Sequence, residues 1–401
     1  MRVLIIDVNC KYSSTGKIVL NLYEYLNNHS IETAICYGRG PRISKKNIFR
    51  IASPLEVLIH AFLARLTGLN GYFSPFSTAR LLRVIKKFKP NVVHLHELHG
   101  YYVNYGLIIK YLKRNRIKTI WTFHCEYMYT GKCGHANQCE KWKTECNKCP
   151  QLRVYPKSLM FDFTRLMFRY KKKLMEDFDC VIVTPSVWLS NRVKNSFLQN
   201  KKNVVVRNSI NIDLYSPRDV EDLIKMHGLE HKIIVLALAP NLMSAQKGGE
   251  WVLKAANSCS GEQVMFVMIG IDDMDKWKFP GNVIAMPRIY DQNLLAKYYS
   301  LADIFLICSE KENFPTTCLE ALACGTPVVG FNTGGTAETV PEPYGKFYEY
   351  GDIESLINYI KTMKHKTIDI IGGCRKFAIE HYSNASMGEK YLKLYQDGLE
   401  K

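Results

Sequence analysis

The chain has 401 residues, 47% of them hydrophobic, and carries 54 Lys and Arg against 37 Asp and Glu, for a formal net charge of +17. This length and apolar fraction allow two domains with ordinary cores and exclude a disordered or low-complexity protein. The most apolar segment, residues 54–69, contains Glu56, His60 and Arg65. It is therefore too short and too polar to span a bilayer, and it is predicted to form an amphipathic helix.

Short apolar runs alternate with longer helical patterns from the N-terminus onward. The run at 3–6, directly before Asp7, predicts a buried first strand rather than a signal peptide, so we expect a cytoplasmic protein. Further strands are predicted at 32–37, 92–96, 119–124 and 180–186, with helices at 16–28, 77–89, 103–116, 160–177 and 187–198. This alternation predicts an α/β fold with a parallel sheet and helices on both faces.

A second series of the same kind follows. Its strands are predicted at 203–209, 232–238, 264–270, 282–286, 303–309 and 327–331, and its helices at 247–258, 291–301, 316–323 and 353–364. The two doubly wound halves join near 208–217, and a last helical stretch at 385–399 is expected to brace the first half. We therefore predict domains at 1–207 and 208–384, with residues 385–401 packing back on the first domain.

Residues suited to phosphate binding fall where strands end, which is where doubly wound sheets bind ligands. Gly16 lies between a strand and a helix, and Lys247 precedes a helix beside Gly248. Exposed backbone N–H groups and a cation are the features that hold phosphate. By itself, the Gly16 motif fits a plain tight turn equally well, and the Lys247 motif fits a solvated lysine at the start of a helix.

Two glutamates flank a proline in the stretch ENFPTTCLEALACGTPVV. Pro315 is expected to open a helix, because proline is tolerated in the first turn, which leaves Glu312 in a loop and Glu320 inside the helix. Glu320 lies in an apolar context, and a buried carboxylate needs hydrogen-bond donors. The vicinal hydroxyl groups of a bound ligand would supply them.

Two clusters raise the question of metal binding. His94, His96, His99 and His124 lie at predicted strand ends, but without an HExxH motif or a carboxylate triad, and we interpret His124 as a polar contact to substrate. Four cysteines that end in a CxxC pair predict a structural zinc or iron–sulfur site: Cys133, Cys139, Cys146 and Cys149. Zinc is favoured because no redox role is visible, and its use would be to order a long loop, the cysteine-rich loop at residues 125–150, that lacks a core of its own. Free thiols are the alternative.

Basic side chains concentrate in the first half, at 80–90, 110–118 and 169–174. Nucleic acid and an anionic membrane surface are both possible partners for such charge. No nucleic-acid-binding motif accompanies the runs. Because the same half contains the amphipathic segment 54–69, we expect an anionic membrane surface and no nucleic acid.

Residues 302–340, ADIFLICSEKENFPTTCLEALACGTPVVGFNTGGTAETV, resemble the E-x7-E region of retaining, nucleotide-sugar-dependent glycosyltransferases of family 4, which have the GT-B architecture. The resemblance extends over essentially the whole chain. HLHELHGYY and the cysteine-rich loop are similar to a WcaC-like subgroup that builds bacterial surface polysaccharides. The resemblance implies two Rossmann-like domains facing a cleft, a UDP- or GDP-sugar donor and a lipid-linked oligosaccharide acceptor at the inner membrane face.

The resemblance also implies roles for individual residues. Glu312 would bind hydroxyls of the donor sugar, Glu320 the ribose, and Lys247 the diphosphate, while His124 would lie near the reacting centre. The implied catalytic residues are His124, Lys247 and Glu312. The implied donor-binding residues are Gly16, Asn208, Asn241, Lys247, Arg288, Glu312, Phe314, Pro315, Thr316, Thr317 and Glu320.

The chain departs from the family pattern before Lys247. The family usually has an arginine there, whereas this sequence reads LAPNLMSAQKGG with Asn241 near the expected place. Lys247 would then act nearly alone, or Arg207 or Arg288 would substitute. Asp273-Met274-Asp275 is interpreted as a surface loop, so no catalytic divalent metal is expected.

Two other functions are consistent with the same fold. One is a sugar-phosphate enzyme such as an epimerase or phosphorylase. The other is a catalytically silent scaffold of a polysaccharide assembly complex. The second alternative rests on the missing arginine.

Overall fold

Two parallel sheets organise the chain, and the computed structural model describes residues 1–261 and 263–397. The chain divides into a first unit, residues 1–207 with the chain from Met387 onward, and a second unit, Asn208–Ser386. The predicted class, two doubly wound α/β sheets with a C-terminal helix that returns to the first, is confirmed.

The first unit is built on a seven-stranded sheet with the order β3-β2-β1-β4-β5-β6-β7. Its strands are β1 (Arg2–Asn9), β2 (Glu32–Arg39), β3 (Ile48–Arg50), β4 (Val92–Leu95), β5 (Lys118–Thr122), β6 (Val181–Thr184) and β7 (Asn203–Val205). Its helices are α1 (Ser14–Asn28), α2 (Pro54–Thr67), α3 (Pro75–Phe88), α4 (Tyr105–Arg114), α5 (Thr164–Glu176) and α6 (Val187–Lys194). The central strand β1 is an almost continuous apolar run because helices cover both faces of the sheet.

Two strands of the first sheet differ from the sequence prediction. The strand predicted at 203–209 was assigned to the second series, but β7 pairs in parallel with β6 at the edge of the first sheet. Strand β3 was not predicted, because three residues are too few to show a periodic pattern.

The second unit contains a six-stranded sheet with the order β10-β9-β8-β11-β12-β13. Its strands are β8 (Ile233–Leu238), β9 (Val264–Ile269), β10 (Val283–Met286), β11 (Ile304–Ile307), β12 (Val328–Phe331) and β13 (Gly345–Tyr348). Its helices are α7 (Glu221–His227), α8 (Gly249–Ser258), α9 (Gln292–Leu301), α10 (Thr316–Ala323), α11 (Ile353–Thr362) and α12 (Ile368–Tyr382). Strand β13 and helices α7 and α12 were not predicted. The adjacent Gly372 and Gly373 weaken the helical pattern of α12.

The strand order reverses once in each sheet. The reversal lies between β1 and β4 in the first sheet and between β8 and β11 in the second. Loops at the carboxyl ends of strands diverge at such a point and leave a crevice where ligands bind. The loops that follow β1 and β4 and those that follow β8 and β11 are therefore the places to look for chemistry, and the loop after β5 lies next to the loop after β4.

The last helix, α13 (Asn384–Gln396), packs on the first unit through two buried tyrosines. The Tyr395 hydroxyl is 2.6 Å from His94 Nδ1, and the Tyr391 hydroxyl is 2.8 Å from Thr122 Oγ1. His94, which was a candidate site residue by position, is thus engaged in holding α13.

Aromatic residues of the cysteine-rich loop pack into the core of the first unit. Tyr127, Tyr129 and Trp142 are buried and belong to the main apolar core of the first unit. The Lys171 ammonium donates to the carbonyls of Tyr127 and Thr130 at 2.6 and 3.1 Å. Burial lowers the pKa of Lys171 to about 7. The loop is thus anchored in the core of the first unit, and the described residues show no separate core within it.

None of the helices within residues 1–261 and 263–397 combines the length and the apolar character that crossing a membrane requires.

Candidate functional site

Three loops at the carboxyl edge of the second sheet are tied together by backbone hydrogen bonds. The Glu310 N–H donates to the Gln246 carbonyl at 3.0 Å, which links the loop after β11 to the loop after β8. The Gly335 N–H donates to the Glu312 carbonyl at 2.9 Å, which adds the loop after β12. Residues far apart in sequence therefore meet at one edge.

Glycines allow this close approach. Gly248 has φ +72°, and a Cβ there would lie 2.1 Å from the Cys308 carbonyl oxygen. Gly334 has φ +62°, and a Cβ there would lie 1.9 Å from the Glu312 carbonyl oxygen. Both positions need the left-handed backbone region and the absence of a side chain.

Lys247 and Glu312 form an ion pair across these loops. Lys247 Nζ lies 2.5 Å from Glu312 Oε1, and the two side chains are 33% and 17% exposed. The pair is thus partly shielded yet open to a ligand. An anion could take the ammonium while hydroxyl groups donate to the carboxylate.

Helix α10 starts next to this pair. Pro315 is its N-cap residue, and no side chain of the described residues caps it. The first-turn N–H groups, those of the half-buried Thr316 and Thr317 among them, have no partner within the helix and are suited to an anion. The preceding Phe314 is buried, and its carbonyl accepts from the Asn208 side-chain amide at 3.4 Å.

Glu320 is 7% exposed on α10. The Tyr299 hydroxyl donates to Glu320 Oε2 at 3.0 Å. Burial and then the Glu320 charge raise the pKa of Tyr299 well above its usual value, so Tyr299 stays a donor. Sequence reasoning did not find Tyr299, since an aromatic residue inside a helix usually indicates only packing.

Asn241 and Arg288 are exposed, and the described residues show no hydrogen bond from either side chain to Lys247 or Glu312. The Asn241 carbonyl accepts from the Ser244 hydroxyl at 2.9 Å. The Arg288 guanidinium lies 4.9 Å from the centre of the Tyr290 ring. Their donor-binding roles stay predictions.

In the first unit, Gly16 forms a tight turn. Its N–H donates to Ser13 Oγ at 3.0 Å, and a Cβ at this position would lie 3.0 Å from the Lys11 nitrogen. A phosphate bound to this N–H would have to displace the Ser13 hydroxyl.

His124 lies just beyond β5 and stacks on His96. Their ring planes are 15° apart, and His124 Nε2 is 3.0 Å from His96 Nδ1. Burial lowers the pKa of both imidazoles. At neutral pH both rings are therefore uncharged, and the pair can bind a polar group without adding charge.

A group that the sequence analysis did not combine lies beside His124. Cys125 Sγ is 3.4 Å from Glu97 Oε2 and 3.4 Å from His99 Nε2, and Glu97 is paired with His99. Burial by itself would raise the pKa of Glu97, but His99 holds it at about 2. Burial would lower the pKa of His99, but Glu97 raises it. The sequence contained a signal for this group, namely HELH after β4 and HC after β5. Because β4 and β5 are paired in parallel, the residues that follow them lie at the same edge of the sheet.

The four cysteines line one cavity of about 20 Å³. Cys146 Sγ accepts from the Gly131 N–H at 3.2 Å. A hydrogen bond from Cys133 lowers the pKa of Cys149 to about 6. Among the described residues, however, no three of these sulfur atoms lie within 4.8 Å of one another. The zinc site therefore stays a prediction.

Asp273 pairs with Lys276 at 2.5 Å in a short 3-10 helix, Met274–Lys276, and Asp273, Met274 and Asp275 are all exposed.

Two family models match the chain. The model for glycosyltransferase family 4 matches residues 15–214, and the model for glycosyl transferases group 1 matches residues 219–370. The chain belongs to glycosyltransferase family 4. It is similar along 99% of its length to all of a protein from Escherichia coli K12 named as the colanic acid biosynthesis glycosyl transferase WcaC, with 22% identity.

Solved structures of this glycosyltransferase fold align over nearly the whole chain. Sucrose-phosphate synthase of Thermosynechococcus elongatus aligns with a TM-score of 0.73 and 18% identity, covering 99% of this chain and 98% of that one. HepE of Anabaena, solved in complex with UDP-glucose, aligns with a TM-score of 0.67 and 15% identity, covering 99% and 100%. At these identities the likeness shows the GT-B fold.

Proposed function

We propose that this glycosyltransferase moves a hexosyl-type sugar, with retention, from a UDP- or GDP-sugar to a lipid-linked oligosaccharide during synthesis of a bacterial surface polysaccharide. The ion pair of Lys247 and Glu312 at the strand-order reversal of the second sheet is the observation that carries the proposal. The name of the Escherichia coli relative supports the pathway class, and the UDP-glucose complex of HepE supports a nucleotide-sugar donor.

In this proposal the donor diphosphate lies between the Lys247 ammonium and the first-turn N–H groups of α10. When the donor binds, the Glu312 carboxylate would exchange its contact with Lys247 for hydrogen bonds from the sugar hydroxyls. The Glu320 carboxylate would accept a hydrogen bond from a ribose hydroxyl. The departing nucleoside diphosphate is an anion and the sugar becomes oxocarbenium-like, so a fixed cation and N–H donors lower the barrier. The anomeric configuration is retained because the acceptor hydroxyl attacks on the face from which the nucleoside diphosphate departs. An oxygen of the leaving diphosphate takes the proton of that hydroxyl. Gly16, His124, Asn208, Asn241 and Arg288 keep the roles that the family resemblance implies.

The decisive experiment measures nucleoside diphosphate release from a panel of UDP- and GDP-sugars, with and without lipid-linked acceptor. Lys247→Met and Glu312→Gln should each reduce turnover by roughly 10²–10³-fold, the range for loss of one preorganised charge-stabilising group. Lys254→Met, an exposed lysine on α8, and Glu310→Gln, on the same loop as Glu312, are the matched controls.

Release from no donor would favour the silent scaffold instead. Wild-type turnover in Glu312→Gln would show that the donor site is elsewhere.

We also propose that no divalent metal acts at the diphosphate. Titration calorimetry with UDP and GDP should give the same affinity in EDTA and in Mg²⁺. A nucleotide affinity that depends on Mg²⁺ would contradict this part.

A second partner is proposed for the first unit, an anionic membrane at the inner face of the cell membrane. Four apolar side chains on one face of α2 are 51–67% exposed: Leu55, Leu58, Ile59 and Phe62. We call them the α2 apolar face. Residues 159–161, Leu-Met-Phe, are exposed as well, and the Leu159 N–H donates to the Arg65 carbonyl at the end of α2 at 2.7 Å.

Basic side chains near the α2 apolar face favour an anionic membrane as the partner of this surface. The chain carries a net +17, and Arg65, Arg83 and Lys157 are exposed on α2, on α3 and beside residues 159–161. Basic side chains near an apolar helix face favour anionic lipid, at about 1 kcal/mol per Lys or Arg near the surface.

Vesicle flotation tests this surface. The wild type should float with phosphatidylglycerol-containing vesicles and less with neutral ones. Leu58→Glu combined with Phe62→Glu should abolish flotation while leaving nucleoside diphosphate release to water unchanged. Ile368→Glu, at an exposed apolar residue of the second unit, is the control. Equal flotation of all three proteins would overturn the proposed surface.

A further inference from the structure

Three different metal-ligand types converge in the first unit at the carboxyl ends of two paired strands. Glu97 and His99 follow β4, and Cys125 follows β5. One oxygen, one nitrogen and one sulfur atom of these side chains all lie within 4.8 Å of one another, and no other group of three or more donors in the described part of the chain does so.

The arrangement does not fit a thiol–imidazole–carboxylate relay. Such a relay uses both imidazole nitrogens, one facing the thiol and the other the carboxylate. Here Cys125 Sγ and Glu97 Oε2 both approach Nε2 of His99, while its Nδ1 is buried without a hydrogen-bond partner among the described residues. One nitrogen carries at most one proton and cannot serve both neighbours. The sulfur, oxygen and nitrogen atoms instead surround one point, as the ligands of a single ion do.

Two of the three separations between donor atoms fit tetrahedral zinc. With Zn–S of about 2.3 Å and Zn–N or Zn–O of about 2.0–2.1 Å, neighbouring sulfur and nitrogen or oxygen ligands are about 3.5 Å apart. The sulfur-to-oxygen and sulfur-to-nitrogen distances are both 3.4 Å. The third pair, Glu97 Oε2 and His99 Nε2, is in direct contact, and these two atoms would have to move apart to admit the ion.

The surroundings support the carboxylate as a ligand. Glu97 Oε1 accepts from the backbone N–H of His124 at 3.2 Å, so this oxygen is anchored, while Oε2 faces His99 and Cys125. Such outer contacts orient metal ligands. A thiolate and a carboxylate together also neutralise a divalent cation in a buried place.

We infer that Glu97, His99 and Cys125 bind one ion of the zinc type, with the fourth position open to water or a hydroxyl group. The ion would join the loop after β4 to the loop after β5. It is separate from the four-cysteine cluster and from the residues proposed for the diphosphate, so the inference does not depend on the proposed donor chemistry.

The test uses the full chain in a Cys139→Ser, Cys149→Ser background, which removes the competing cysteine cluster. Co²⁺ should bind with a stoichiometry of one and give a sulfur-to-cobalt charge-transfer band. Cys125→Asp should still bind Co²⁺ but lose that band, and His99→Ala, which removes a direct ligand, should weaken binding by more than the roughly 10–100-fold that loss of an outer contact costs. Cys36→Ala, at a buried strand cysteine, should leave the band unchanged.

X-ray absorption on the zinc-loaded wild type is the second measurement, should the background variant not fold. The loss of one sulfur neighbour per chain on going from the wild type to Cys125→Asp supports the inference. A sulfur count that Cys125→Asp leaves unchanged, no bound metal, or a charge-transfer band that survives Cys125→Asp would overturn it.

Discussion

Glu320 shows how a single carboxylate is kept available inside an apolar helix. The Tyr299 hydroxyl bonds Oε2 at 3.0 Å and offsets part of the cost of burial. A ribose diol could supply further donors. Pairing of this kind is worth about 1.5–3 kcal/mol when one partner is charged.

Glu320→Gln should therefore weaken UDP or GDP binding by roughly 10–100-fold, the same free energy expressed as affinity. Calorimetry with a nucleotide that lacks both ribose hydroxyls separates ribose contact from a structural effect, since that ligand should bind both proteins alike. An equal loss for both ligands would assign Glu320 a purely structural role.

Lys366 gives a prediction about pH. Its ammonium donates to the Ser300 carbonyl and to Thr326 Oγ1, both at 2.7 Å. Burial lowers the pKa of Lys366 to about 8, against the opposing effect of Asp303. Between that pH and the usual lysine pKa of about 10.4 the unfolded chain holds the proton and the folded chain does not. The contribution of Lys366 to the free energy of unfolding therefore rises with pH in this window, by at most about 1.4 kcal/mol per pH unit.

Lys366→Met should remove this contribution, so the wild type should gain stability relative to the variant between about pH 8 and pH 10. Urea unfolding at several pH values measures it, with the exposed neighbour Lys364→Met as control. Parallel pH profiles for wild type and Lys366→Met would show that Lys366 stays protonated in the fold.

At the scale of elements, the turn from β8 into α8 depends on Gly248. Two glycines with similar backbone conformation separate the two costs of substitution. Gly248 has φ +72° and faces the Cys308 carbonyl, whereas Gly228 has φ +62° at the end of α7, and a Cβ added there would meet no atom within 4 Å.

Gly228→Ala should cost about 1–2 kcal/mol of unfolding free energy, the penalty for an L-residue in the left-handed region. Gly248→Ala should cost more, because the methyl group also meets backbone. It should in addition raise KM for the donor, since the loop that carries Lys247 must move away from Glu312. Denaturant unfolding and donor kinetics check both, and equal losses in the two variants would contradict the argument.

At the scale of the whole molecule, the chain returns to its beginning through α13. Tyr395→Phe leaves His94 Nδ1 without its partner in a buried place, a loss of about 1–3 kcal/mol. Hydrogen exchange should then quicken in β1, β4 and β5. Strands β8 and β9 serve as the internal control, and acceleration in them alone would show that α13 does not stabilise the first unit.

Local pattern was sufficient for most of the fold. Buried parallel strands are continuous apolar runs, and amphipathic helices repeat every 3.6 residues, so the alternation of elements and the start of α10 at Thr316 could be predicted. Short or interrupted elements such as β3, β13 and α12 were missed because they show little periodicity. The placement of β7 was missed for another reason, since sequence order does not reveal which sheet an edge strand joins.

The sequence by itself determined the family, the two-sheet architecture and the residue types at the candidate site, because these depend on periodicity and on a contiguous motif. Only the tertiary structure decided that Lys247 pairs with Glu312. It alone also decided that the donor atoms of Glu97, His99 and Cys125 lie within 4.8 Å of one another. It also decided that aromatic residues of the cysteine-rich loop pack into the core of the first unit. Each of these facts is a distance between segments that the folded chain brings together, and such distances are not encoded in any local stretch of the chain.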